Sequence, residues 1–425
     1  MGQDLARSMR KYTESDRQME TVPAVVTPLD EHMGLDIARS LGPRGIPVYG
    51  VDAHPDAVGR FSKYLDFVQS PNPERDEASY LQFLLDLGRR LGSAVLYPLS
   101  DMHVLLCSRH RDVLGRYYKY VMPEHWTMER LTTKDGLRAA AQEVRMPTPT
   151  TMPVNGAMSI EELAAAVSYP AILKPTESTY WHTPEFASLL RQGLLQGRAK
   201  VVLCRDPKEL VAAYRHIAAH DSRLVIQEVI PGEDSRLAYI AFYLDRNSRP
   251  MGIFAGKKLR VIPTGFGSAS YVRTFHDPEL EAAALELLTA SCYQGLGGLE
   301  FKKDPRDGTY KLIEFNTRFG MWDGLGARVG VDLAYIAYRD ALQQPVEPEL
   351  AYRDDVIWVD WQRDLRAAID YRRQGELSIP QWLGSLQGEK MWAIYSRDDW
   401  GPGAAFTVAL LGKMWERIRS KGSRR

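Results

Sequence analysis

Residues 297–320 of this chain, GGLEFKKDPRDGTYKLIEFNTRFG, concentrate side chains whose types and spacing could do chemistry. An Asp-Gly turn signal lies between two β-type runs, which predicts a hairpin. In the second strand Glu314, Asn316 and Arg318 alternate with Ile313, Phe315 and Phe319, so a period of two puts the polar three on one face. With the turn centred near Asp307, Glu300 falls opposite Glu314. Two facing carboxylates repel across a ladder, and a bound cation reverses that sign. Glu300, Glu314 and Asn316 offer only oxygen ligands, the set that Mg²⁺ prefers, with Mn²⁺ as an alternative. Arg318 on the same face could grip a phosphate or carboxylate oxygen. Taken alone, the strand is also compatible with an ordinary solvated face.

Anion-binding groups occur elsewhere in the chain. Lys174 ends the apolar run YPAILKP, where an ammonium is costly to bury unless an anion meets it. Lys134 stands near the start of a helix, where the dipole mildly disfavours a cation unless a phosphate is near. Either lysine could instead extend to solvent. The run LVIQEVIPGED leaves a buried strand through Pro-Gly into acidic residues, a hinge able to offer backbone to an adenine edge and a carboxylate to a ribose.

The rest of the chain must position these groups. With 425 residues, 44% of them hydrophobic, it is long enough for two or three domains. Its 54 Lys and Arg balance 54 Asp and Glu, which argues against a general nucleic-acid binder. Cys107, Cys204 and Cys292 make neither a zinc motif nor a disulfide framework, and a reducing, cytoplasmic compartment fits them. The run 404–411 is far short of the roughly 20 residues that span a bilayer. Residues 1–20 have no apolar core of a signal peptide and read as a flexible leader.

From Ala24 the pattern AVVTP, GLDIARSLGPRG, IPVYGVD is strand, helix, strand, which implies a parallel open α/β sheet. No G-x-G-x-x-G follows the first strand, so a dinucleotide site is disfavoured. Asp101 follows the strand AVLYPLSD, where such sheets bind ligands, though it could equally cap the next helix. Beyond the Pro-rich segment near 147–153 the pattern becomes α+β. After about residue 350 the chain reads as helices, with Trp358, Trp361 and Trp382 as packing anchors. From Lys413 onward six Lys or Arg oppose one Glu, and with Met414, Trp415 and Ile418 this suggests an amphipathic tail able to rest on an anionic membrane surface, at its cytoplasmic face. A solvated helix with a disordered end fits as well.

The order Lys134, AILKP with Lys174, IQEVIPGED, then LEFKK and LIEFNTRFG resembles the ATP-grasp superfamily, most closely its carboxylate–amine ligases of the D-aspartate ligase-like type. The resemblance covers roughly residues 22–345. It implies a mixed α/β and α+β fold: a leader (1–21), a Rossmann-like pre-ATP-grasp domain (22–125), ATP-grasp subdomains (126–226 and 227–345) and a C-terminal helical extension (346–425). It further implies that Lys134 and Lys174 contact ATP phosphates. Gln227, Glu228 and Ile230 meet adenine, and Glu233 or Asp234 the ribose. Glu300, Glu314 and Asn316 hold Mg²⁺, Arg318 stabilises the transferred phosphoryl group, and Lys258 and Arg260 lie near triphosphate and substrate.

One departure from the family pattern is the loop TESTYWHTPEFASLL, which has no Gly between Pro175 and Gly193. Hydroxyls of Thr176, Ser178 and Thr179, or Trp181 and His182, would then take the place of bare backbone against phosphate. The implied chemistry is ATP-dependent amide formation through an acyl phosphate, from a small or precursor-linked carboxylate and an amine. A kinase acting on a hydroxyl, a bicarbonate-using enzyme or a silent ATP-binding scaffold stays open, as does a homo-oligomer.

Overall fold

The computed structural model describes residues 21–29, 32–176 and 201–422. The leader and the Gly-poor loop beyond Thr176 lie outside the described residues. Three sheets carry the chain. The first is parallel, in the order β3-β2-β1-β4-β5, formed by β1 (Ala24–Thr27), β2 (Val48–Asp52), β3 (Asp66–Gln69), β4 (Ala94–Pro98) and β5 (Tyr118–Lys119). Its strands β1 and β2 are buried along their whole length, as expected where helices cover both faces of a parallel sheet. Those helices include α1 (Met33–Leu41), α2 (Glu77–Leu91) and α3 (Asp101–Arg109). Ser100, rather than Asp101, caps α3 by accepting from the His103 amide, which leaves the Asp101 carboxylate for another partner.

Two helices, α4 (His125–Thr132) and α5 (Lys134–Glu143), lead into a four-stranded antiparallel sheet of order β6-β9-β7-β8. It comprises β6 (Thr151–Pro153), β7 (Ala171–Pro175), β8 (Val202–Cys204) and β9 (Leu224–Glu228), backed by α6 (Ile160–Ala166) and α7 (Pro207–Ala218) around a small apolar core of its own.

The third sheet has the order β14-β13-β10-β11-β12-β15-β16. Its strands are β10 (Leu237–Leu244), β11 (Pro250–Ile262), β12 (Ser268–Thr274), β13 (Gly295–Lys303), β14 (Tyr310–Asn316), β15 (Ile357–Val359) and β16 (Lys390–Trp392). The helices α8 (Pro278–Ala290), α9 (Leu325–Val329) and α10 (Leu333–Ala341) belong to the large core shared with the first sheet. The segment expected to be a helical extension does supply α11 (Trp361–Arg373), α12 (Ile379–Ser385) and α13 (Gly401–Gly422), but it also adds β15 and β16 to this sheet. Trp358 on β15 is wholly buried. Among the described residues no helix is long and apolar enough to cross a membrane.

Candidate active site

The hairpin β13–β14 pairs Glu300 with Glu314 and Gly298 with Asn316, so the two carboxylates stand level on neighbouring strands with the amide two residues on. A bulge between these two pairs and the turn puts Phe301 opposite Leu312 and leaves Ile313 without a partner. Leu312 and Phe315 are therefore the buried side chains of β14, and Ile313 is only half-buried, contrary to strict alternation.

Each carboxylate meets a lysine. Thr133 caps α5 through the Gly136 amide, which holds Lys134 in the first turn, and Lys134 Nζ donates to Glu314 Oε1 at 3.3 Å. Lys258 on β11, near the ring of Tyr239, donates to Glu300 Oε2. Arg318 donates through Nε to Asp101 Oδ1 at 2.8 Å and through Nη2 to Asn316 Oδ1 at 3.4 Å, tying the parallel sheet to the hairpin. Asp101, Lys134, Glu314 and Asn316 line one small pocket.

The donor set suits a hard cation. It is all oxygen, and its two carboxylates are already held close to positive charge. Among the described residues no group of three or more His, Cys, Asp or Glu could hold a metal. A divalent ion held by two carboxylates and one amide would draw its other ligands from phosphate and water, as Mg²⁺ does.

On β7, Lys174 is buried and donates to Gln227 Oε1 on β9 at 2.7 Å. Burial pushes its ammonium down to about 7, assisted by repulsion from Lys134 and opposed by Glu314. Gln227 Nε2 in turn donates to Thr151 Oγ1 at 2.9 Å. Glu228 is buried, accepts from the Thr150 amide at 3.0 Å and faces Arg306 at 3.3 Å. Ile230 is buried just past the strand, and Glu233 is exposed.

Two expected site residues are engaged elsewhere. Arg260 does not join the carboxylate hairpin: it grips Asp364 of α11 through Nε and Nη2 at 2.7 and 2.8 Å, and its guanidinium lies 4.0 Å from the Tyr271 ring centre. The cause is a bulge in β11 that sets Lys258 level with Val272 but Arg260 level with the adjacent Tyr271, breaking the alternation that would keep both on one face. Asp234 is buried and accepts from the Gly265 amide and the Tyr371 hydroxyl, so Glu233 is the hinge carboxylate open to solvent.

The overall arrangement matches solved structures. The N5-carboxyaminoimidazole ribonucleotide synthetase of Thermus thermophilus superposes with a TM-score of 0.57 at 18% identity, over 78% of this chain and 81% of that one. The chain has the ATP-grasp fold. No family profile matches it, but individual sequences do. A D-aspartate ligase of Enterococcus faecium is 25% identical over 296 residues, which is 67% of this chain and 68% of the relative. A D-alanine–D-alanine ligase of Halorhodospira halophila is 28% identical over 204 residues, 47% of this chain and 58% of that relative.

Sequence reasoning missed three buried polar groups beside this ATP-grasp hairpin: Asp36 on α1, Asp323 after β14 and the Tyr239 hydroxyl on β10. The sequence carried no signal for the burial of Asp36: α1 is amphipathic, with Asp36, Arg39 and Ser40 on one polar face at helical spacing, yet only Arg39 of the helix escapes burial.

Proposed function

We propose that this protein joins a carboxylate to an amine at the expense of ATP, by way of an acyl phosphate. The carrying observation is that Glu300 and Glu314 stand level on one hairpin, each with a lysine, with Asn316 ending the same strand and Arg318 just past it. A carboxylate is a poor acyl donor because its leaving group would be oxide, and phosphorylation supplies a better one. The names of the sequence relatives, two ligases, support the same reading.

The chain's own groups divide the work. Glu300, Glu314 and Asn316 would hold Mg²⁺, which supplies charge neutralisation on phosphate oxygens. Lys134 and Lys258, which neutralise the glutamates, become counter-charges for anionic oxygens when a cation takes their place. Arg318, held by Asp101 and Asn316, presents a fixed guanidinium to the developing phosphoryl charge. Lys174 meets the nucleotide phosphates from the four-stranded sheet, beside backbone of the 227–230 hinge, with Glu233 toward the ribose.

A phosphate-release screen of carboxylates crossed with amines at fixed Mg-ATP tests this function. Phosphate appearing only with a specific pair, together with an amide product, is the expected result. A phosphorylated alcohol, or phosphate release indifferent to the amine, would overturn it.

The C-terminal helix supports a reading about location. On it Val408, Leu411 and Trp415 are exposed and recur at spacings of three and four, and with the exposed Trp400 just before its first turn they form one apolar stripe ahead of a basic end. This is the pattern of a helix that lies on an anionic membrane surface.

A further inference from the structure

A cavity of about 400 Å³ lies between α1 and the segment running from Phe319 through α10. Most charges in its wall are matched. Arg39 donates to Asp399 at 3.0 Å, Arg44 meets Asp332 at 3.1 Å, and Ser40 also donates to Asp332. Asp36 and Asp323 differ. Asp36 is 4% exposed, and among the described residues neither of its oxygens has a hydrogen-bond donor. Asp323 is 1% exposed; its Oδ2 accepts from the Gly320 amide at 2.6 Å, and its Oδ1 lacks a donor among the described residues.

The backbone is cut away around both. A Cβ on Gly324 would stand 2.4 Å from Asp36 Cγ, and one on Gly320 would stand 2.5 Å from the Tyr239 hydroxyl and 2.6 Å from Asp323 Oδ1. The Tyr239 hydroxyl is likewise buried without a partner among the described residues. Tyr239 pairs across the ladder with Glu300, so this group of acceptors adjoins the carboxylate hairpin. Arg44, with a side chain 41% exposed, marks the open end of the cavity.

Burying carboxylates without donors costs several kcal/mol by order of magnitude. Burial and mutual repulsion push Asp323 up to about 7, and burial pushes Asp36 to about 7 despite Arg39 and His32 nearby. A cationic ligand would remove the cost. A metal ion suits the place poorly, because only two carboxylates and a neutral phenol converge and no wider ligand cluster is found among the described residues. An ammonium group has three N–H donors, which match the three carboxylate oxygens that lack one. The cavity is also large enough for a molecule the size of an amino acid.

We infer that this cavity is the entry and binding site for the amine substrate, with its ammonium group received by Asp36 and Asp323. The inference rests on the ligase reading for the use made of that amine, but the site can be tested without turnover. The wild-type full-length protein is heated at about pH 8, where both carboxylates are ionised, with each of the common amino acids, their D-enantiomers and short alkylamines. Each compound is compared with its N-acetyl derivative.

At least one free amine should raise the melting temperature by about 2 °C or more, while its N-acetyl form does not. Asp36→Asn and Asp323→Asn, which keep side-chain shape, should each abolish that shift. Their own melting temperatures without ligand should equal or exceed wild type, which separates loss of binding from loss of fold. No preference for free amines, or a shift that survives in both variants, overturns the site. A parallel assay of the wild type with Mg-ATP, carboxylates and hydroxylamine reads acyl-phosphate formation as hydroxamate. Failure there counts against the ligase reading and leaves the amine site standing.

Discussion

Lys134 and Glu314, 180 residues apart, meet at 3.3 Å across the junction between α5 and the hairpin. The contact places a phosphate-binding candidate and a metal-ligand candidate within one charge neighbourhood. Lys134 occupies there the position of a counter-ion.

Removing Glu314 should therefore disable chemistry without harming the fold. Glu314 has a side chain 40% exposed, so Glu314→Ala creates no core cavity. It removes a carboxylate at the point where phosphate charge must be neutralised, and turnover of Mg-ATP should fall by about a hundredfold or more. Steady-state phosphate release, with circular dichroism as the control for folding, checks this. Full turnover from a normally folded variant would reject the metal assignment.

Lys174 should make nucleotide binding depend on pH. Its folded pKa of about 7 lies below the usual lysine value of 10.5, because it is buried beside Gln227. Without ligand it is mostly neutral at about pH 8, and phosphate contact restores its charge, so binding takes up nearly one proton. The same depression weakens the unliganded fold at low pH, and the loss is relieved as pH rises from 7 toward 10.5. Calorimetric titration with a non-hydrolysable ATP analogue, in buffers of different ionisation enthalpy, measures the uptake. Zero uptake at about pH 8 would exclude a phosphate contact by Lys174.

Arg260 should serve architecture rather than the nucleotide. Its partner Asp364 also accepts from Trp382 Nε1 at 2.8 Å and from Ser270 Oγ at 3.2 Å, and it is wholly buried. Arg260→Ala strips that carboxylate of its charge partner, and should destabilise the protein by about 3–5 kcal/mol. Urea unfolding gives the size of the loss, and the nucleotide KM of the folded fraction should stay near wild type. A stable variant with a raised nucleotide KM would return Arg260 to the active site.

The contrast between Glu300 and Arg260 marks how far sequence could reach. Glu300 and Glu314 lie on one hairpin because a turn near Asp307 joins two short strands, which sequence reasoning captures, but the turn alone would set Glu300 opposite Ile313, and it is the bulge there that brings Glu314 level. The bulges at Ile313 and between Lys258 and Arg260 are single-residue events with no distinctive residue to announce them, and each redirects the side chains that follow. The resemblance implied Glu233 or Asp234 at the ribose, but the hydroxyl partner of Asp234, Tyr371, lies 137 residues away on α11. The strands β15 and β16, three residues each, are too short to show a period and exist because they extend the edge of a long sheet. Parallel strands of continuous apolar character and the buried lysine of AILKP were legible, since burial on both faces leaves its mark in composition.

The stripe on α13 predicts surface binding that charge on its apolar face should destroy. Trp400, Val408, Leu411 and Trp415 are each more than half exposed, so they hold no core together. The end of the helix that packs against the body does so through other groups, such as Phe406 and the Thr407 hydroxyl, which bonds to Tyr395 at 2.9 Å. Val408→Glu with Leu411→Glu should therefore leave thermal stability within about 1 kcal/mol of wild type. On vesicles containing phosphatidylserine, the wild type should co-sediment and the double variant should not. Binding by wild type should weaken as salt is raised, because the basic end contributes through screened attraction. Equal sedimentation of the two proteins would remove the membrane from the account of this helix and leave its apolar stripe to a protein partner.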